Sequence, residues 1–152
     1  MKTPKLGVAA LVAATMVLAG CGTTSGGTKA EGDGDAASMK LCMYTHGDGG
    51  GFWSVAKKGA EKAAADLGVT LDYQESNNDA AKQAQLIEAG VTGGCEGIAV
   101  SAPNPDAIKG AMAKAKEAGI PLVTMNSGSS VFKDLGAFTH VGQDEFIAGQ
   151  EA

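Results

Sequence analysis

From residue 40 onward, short apolar runs alternate with stretches whose apolar residues recur every three or four positions, and this alternation constrains the fold more than any other feature. Leu41 to Thr45 reads as a buried strand, followed by a glycine-rich turn from His46 to Gly51. Trp53, Ala56, Ala60, Ala63 and Leu67 then share one face of a helix, and Gly68 is placed to end it. Val69 to Tyr73 is a second strand; Ala80, Ala84, Ile87 and Val91 mark a second helix. Gly97 to Ser101 is a third strand. Asn104-Pro105 supplies an N-cap and a proline at the first helical position, opening a helix through Ala118. Ile120 to Met125 is a fourth strand, and Phe138 to Val141 a fifth after a Ser/Gly loop. Apolar strands that alternate with helices belong in a parallel sheet covered on both faces, an α/β Rossmann-like architecture.

Sheets of this kind hold ligands at the carboxyl ends of their strands. The residues that follow each strand here are polar or aromatic: His46, Asp48, Phe52 and Trp53 after the first, then Glu75, Ser76 and Asn77 after the second. Ser101 follows the third, Asn126 and Ser127 the fourth, Gln143 and Asp144 the fifth. Two adjacent aromatics beside neutral hydrogen-bonding groups suit a polyhydroxy ligand. Its C–H faces lie against rings, while its hydroxyl edges need donors and acceptors such as Asn, Ser and Gln.

Composition narrows the classes. All 12 basic residues are Lys, against 17 acidic ones, for a net charge of −5. A chain with no Arg and an acidic balance lacks the clustered cations that phosphate neutralisation needs, so no nucleic-acid partner is expected. At the amino end, Lys2 and Lys5 precede an uncharged apolar stretch from Leu6 to Leu18, too short to span a bilayer and sized for a secretory signal. It closes on Leu18-Ala19-Gly20-Cys21, which resembles the bacterial lipoprotein box. Residues 1–20 are thus read as a lipoprotein signal peptide and Cys21 as the lipidated anchor to the membrane. The alternative is a buried helix that happens to precede a cysteine. Gly22 to Ser38 has no large apolar side chain, so residues 21–39 are read as a flexible linker.

From residue 40 to 152 the chain resembles the type I periplasmic substrate-binding proteins, nearest the ribose-binding-like group that serves sugar and polyol ABC importers. Five segments carry the likeness: HGDGGGFWSVAKKGAEKAAADLG, DYQESNNDAAKQAQLIEAGV, GIAVSAPNPDAI, AGIPLVTMNSG and THVGQDEFIAGQEA. The resemblance implies a two-lobed protein that closes on its ligand about a hinge, delivering a sugar or polyol to an ABC permease from the outer face of the cytoplasmic membrane or the periplasm. It implies no cofactor. Members are about twice as long, so the chain is read as an N-terminal fragment: first lobe over residues 40–126, hinge crossing and start of the second lobe over 127–152. Residue by residue, Phe52 and Trp53 fall where the family stacks aromatics on the sugar. His46, Ser101 and Gln143 match polar contacts. Asn126 and Ser127 stand where ribose-type members carry an acidic residue and Arg, so another pentose, a hexose or a linear polyol fits as well as ribose.

Plainer readings stand beside these. Trp53 begins the apolar stripe of its helix and is also a core candidate, which leaves Phe52 the better ring contact. His46 is either a hydrogen-bonding group or an exposed loop residue. With only two His in the chain, far apart, no metal site is expected. Asn104 and Asp144 read as helix caps. Gly47 to Gly51 lacks the Lys-Ser/Thr of a phosphate loop, and NSGSS at 126–130 lacks the second glycine of a nucleophile elbow, so no enzyme is expected. Cys42 and Cys95 can pair in an oxidising compartment, although strand neighbours rarely meet disulfide geometry, which favours two buried thiols. Other functions that the fold serves are a sensor for a chemotaxis or kinase receptor and a receptor for a non-sugar solute. A repressor core would need a helix-turn-helix where the signal sequence stands.

Overall fold

The computed structural model describes residues 39–152. The expected signal peptide, Cys21 and the linker up to residue 38 lie outside the described residues. The elements run β1 (Lys40–Thr45), α1 (Gly51–Leu67), β2 (Thr70–Glu75), α2 (Ala80–Thr92), β3 (Gly97–Val100), α3 (Pro105–Glu117), β4 (Leu122–Met125), β5 (Thr139–Val141) and α4 (Glu145–Glu151). All five strands are parallel, in the order β2-β1-β3-β4-β5. The expected α/β fold with helices on both faces is the one observed.

Strand register brings the carboxyl ends level. Thr45 lies opposite Glu75, Tyr44 opposite Val100, Val100 opposite Thr124, and Met125 opposite Val141. From β1 the chain steps outward to β2, then returns past β1 to β3 and continues to β5. That reversal opens a crevice between the ends of β1 and β3.

The main core lies where α2 and α3 pack together on one sheet face. Cys42, Tyr44, Ile98, Val100 and Leu122 point into it, against Ile87, Ile108, Met112 and Ala115. Gln83, buried on α2, is tolerated because its Nε2 donates to the carbonyls of Tyr44 (3.2 Å) and Ser101 (2.7 Å), at the ends of β1 and β3. Asn104 caps α3 with Pro105 next, as read from the sequence, and Asp144 caps α4 by accepting from Phe146 and Ile147 N–H.

Several expectations change. Cys42 and Cys95 are joined by a disulfide, not held as two free thiols. Cys95 sits in the turn just before β3, with its Cα 5.8 Å from that of Cys42. The stripe on α1 is only partly buried: Trp53 is enclosed and Ala56 and Ala60 are half-buried, while Ala63 and Leu67 are exposed and Ala64, off the stripe, is enclosed. This helix packs on the edge strand β2, which supports a narrower face than a central strand does. β2 starts at Thr70 because the Val69 N–H is spent on Ala64 O at the end of α1. β4 starts at Leu122 because the Ile120 N–H is spent on Ala115 O and Pro121 has none to give. After β4 the chain stays with this sheet: the last three residues of Phe138 to Val141 form β5 at its edge. Asn126, with φ of 58°, turns the chain out of β4, and Leu135 and Ala137 anchor the excursion in the core before β5 returns.

Candidate functional site

At the crevice between β1 and β3, His46 and Ser101 face each other. Ser101 is fully buried, and its hydroxyl accepts the His46 backbone N–H at 2.9 Å. The same oxygen lies 2.8 Å from His46 Nδ1. Among the described residues that hydroxyl proton has no other acceptor, so it goes to Nδ1 and the ring keeps its own proton on Nε2. Burial holds the His46 pKa below its ordinary value, against a smaller opposing pull from Asp48. At neutral pH the crevice therefore presents a neutral imidazole whose free donor is Nε2–H. Ser101 sets that tautomer from beneath.

A row of rings runs from His46 along the rim. His46 meets the Trp53 indole edge-on with centroids 4.9 Å apart, and Trp53 meets Phe52 edge-on at 5.0 Å. Burial separates the two neighbours: Trp53 is enclosed, whereas Phe52 is 61% exposed. Trp53 thus backs the rim as core, and Phe52 offers the ring face. Phe52, Met125, Asn126, Val141 and Gln143 line one depression of about 220 Å³. Complete small-molecule sites occupy roughly 300–1,000 Å³, and this depression is smaller than that.

Asn126 adopts its left-handed conformation at the floor of the depression, with its N–H on Val141 O at 2.9 Å. The Ser127 hydroxyl donates to Asn126 Oδ1 at 2.9 Å, which leaves the Asn126 amide N–H groups to donate. The structure therefore brings Phe52, Asn126 and Gln143 together, with Ser127 as the support of Asn126. His46 belongs to a separate depression of about 180 Å³, shared with Ser76, Asn78, Gln83 and Asn104. Met125 and Val141 were not singled out from the sequence, because apolar strand residues read as core. Gln83 was also missed: a polar residue on a helix gives no signal that it spans the ends of two strands.

Among the described residues no group of three or more His, Cys, Asp and Glu is placed to hold a metal ion, and no helix is long and apolar enough to cross a membrane.

Comparison with known proteins identifies the family and the fold. Residues 41–152 match the family model described as a periplasmic binding protein domain. The fructose import binding protein FruE of Bifidobacterium longum is 30% identical, over 100% of this chain and 47% of its own length. A xylitol-binding protein of Mycolicibacterium smegmatis is 29% identical, over 98% of this chain and 40% of its own. Among solved structures, a carbohydrate transporter from Acidothermus cellulolyticus, in complex with myo-inositol, superposes with a TM-score of 0.70 at 42% identity. That match covers 75% of this chain and 40% of the other. The chain spans less than half the length of these relatives.

Proposed function

This chain belongs to the periplasmic binding protein domain family, and we propose that it carries one wall of a receptor that captures a sugar or polyol outside the cytoplasm. The captured solute passes to the permease of an ABC importer. The chain acts by binding and not by catalysis, and Cys21 tethers it to the outer face of the membrane through lipid. The carrying observation is the depression at the carboxyl edge of the sheet, where an exposed Phe52 ring stands beside the uncharged hydrogen-bonding groups of Asn126 and Gln143. A sugar presents C–H faces to such a ring and hydroxyls to such amides. The names of the relatives, which speak of fructose and xylitol, and the myo-inositol complex support this class of solute.

One wall alone binds weakly. A second surface, reached by the chain that leaves β5 at Gly142 and Gln143, closes over the solute, and contacts made only in the closed form drive the closure. His46 offers its Nε2–H from the neighbouring crevice. A thermal-shift panel on the full-length protein tests the reading, with pentoses, hexoses, polyols, amino acids and purines as probes. A solute at about 100 times its Kd stabilises the fold by about 2.7 kcal/mol. Stabilisation by one carbohydrate class is the expected result; stabilisation by an amino acid or purine and by no carbohydrate would overturn it.

A further inference from the structure

We propose that Glu75 is a positioning residue for the loop that leads into Phe52 and Trp53, an inference that rests on reading those aromatics as part of the solute site. The loop from His46 to Gly50 is rich in glycine. Ser101 holds its first residue, Thr45 Oγ1 accepts from Gly47 N–H and Asp48 Oδ1 accepts from Gly50 N–H. The contacts at its middle come from the end of β2. Glu75 Oε2 accepts the Gly49 N–H at 2.6 Å, and Oε1 accepts the Tyr73 hydroxyl at 2.9 Å. That hydroxyl also lies 3.5 Å from the Trp53 carbonyl, in the first turn of α1. One carboxylate thus joins the middle of the loop to the start of the helix that bears both aromatics.

Packing points the same way. A Cβ on Gly47 would lie 2.8 Å from Glu75 Cδ and 2.8 Å from Trp53 Cγ, so only glycine lets carboxylate and indole close on the backbone there. The next turn completes the grip. Asn77 and Asn78 both take left-handed conformations, with φ of 56° and 61°, and donate their N–H groups to Gly47 O (2.7 Å) and His46 O (3.0 Å). Asparagine is among the few side chains that enter this region readily. Segment 75–78 therefore clamps segment 46–49 through three hydrogen bonds, and Glu75 supplies the one made by a side chain.

Variants of the full-length protein test this by amide hydrogen exchange and by titration with fructose, xylitol and myo-inositol. Glu75→Ala should speed exchange of residues 46–53 about tenfold while β3 and α3 keep their protection. It should weaken the solute that the wild type binds by a similar factor. Glu75→Gln should restore both, since its carbonyl can accept from Gly49 and its amide can donate to Tyr73. Unchanged loop exchange in Glu75→Ala, equal loosening of the whole sheet, or a loosened loop with unchanged affinity would each overturn the proposal. If none of the three solutes binds the wild type, the sugar reading loses its support, and the exchange comparison still decides whether Glu75 clamps the loop.

Discussion

Phe52 and Trp53 are adjacent in sequence and opposite in consequence. Phe52→Ala removes an exposed ring, so stability should change by no more than about 0.5 kcal/mol while solute affinity drops about tenfold. Trp53→Ala empties a buried site and should cost about 3–5 kcal/mol of stability, read as a lowered midpoint in chemical denaturation. The sequence held part of this contrast: the helical stripe marked Trp53 as apolar-facing and left Phe52 off it. His46 adds a pH dependence. Its pKa is lowered on folding, so below the ordinary value of 6.5 the unfolded chain binds the extra proton first. This contribution to stability is complete above about 6.5 and declines as pH falls through 6.5 toward the folded value. Protonation also removes the Nδ1 acceptor that Ser101 uses. Denaturation midpoints measured across this range should fall toward acid, and His46→Gln should flatten that part of the curve. No pattern in the sequence announced the His46–Ser101 bond, because it depends on β1 and β3 lying side by side although 55 residues separate the pair.

At the scale of elements, order was more legible than extent. Five apolar runs with helical periodicity between them gave every strand and the three long helices in place, and Asn104-Pro105 and Gly68 marked ends that the structure keeps. Boundaries slipped where one backbone group serves two elements, as at Val69 and Ile120, a competition that periodicity does not record. Whether an apolar run joins an existing sheet or starts another depends on register with β4, which only the folded chain sets. The Cys42–Cys95 disulfide staples the amino end of β1 to the turn before β3 across 53 residues. In the chain-entropy account, closing a loop of that size is worth about 4 kcal/mol. Reduction, or the paired change of Cys42 and Cys95 to Ser, should lower the midpoint of thermal unfolding accordingly. A thiol probe that finds Cys42 and Cys95 free without reductant would remove the bridge.

For the whole molecule, the described residues form a continuous parallel sheet with His46, Phe52, Ser101, Asn126 and Gln143 gathered at its carboxyl edge. The loop that leads into the aromatics is clamped by the end of β2, the imidazole by Ser101 after β3, and the floor of the depression by β4 and β5. In the proposed reading that edge is one wall of the solute site. The proposed class of solute rests on residue types that the sequence already carries, a ring plus neutral amides. The particular solute was not legible, because specificity lies in hydroxyl geometry shared between two walls. The most direct test is a calorimetric titration of the full-length protein with sugars and polyols, run in parallel on the Phe52→Ala and Asn126→Ala variants. Micromolar binding of one carbohydrate class, weakened about tenfold or more in both variants, is the expected result. Carbohydrate binding that neither substitution disturbs, or heat only from a solute of another class, would contradict the account.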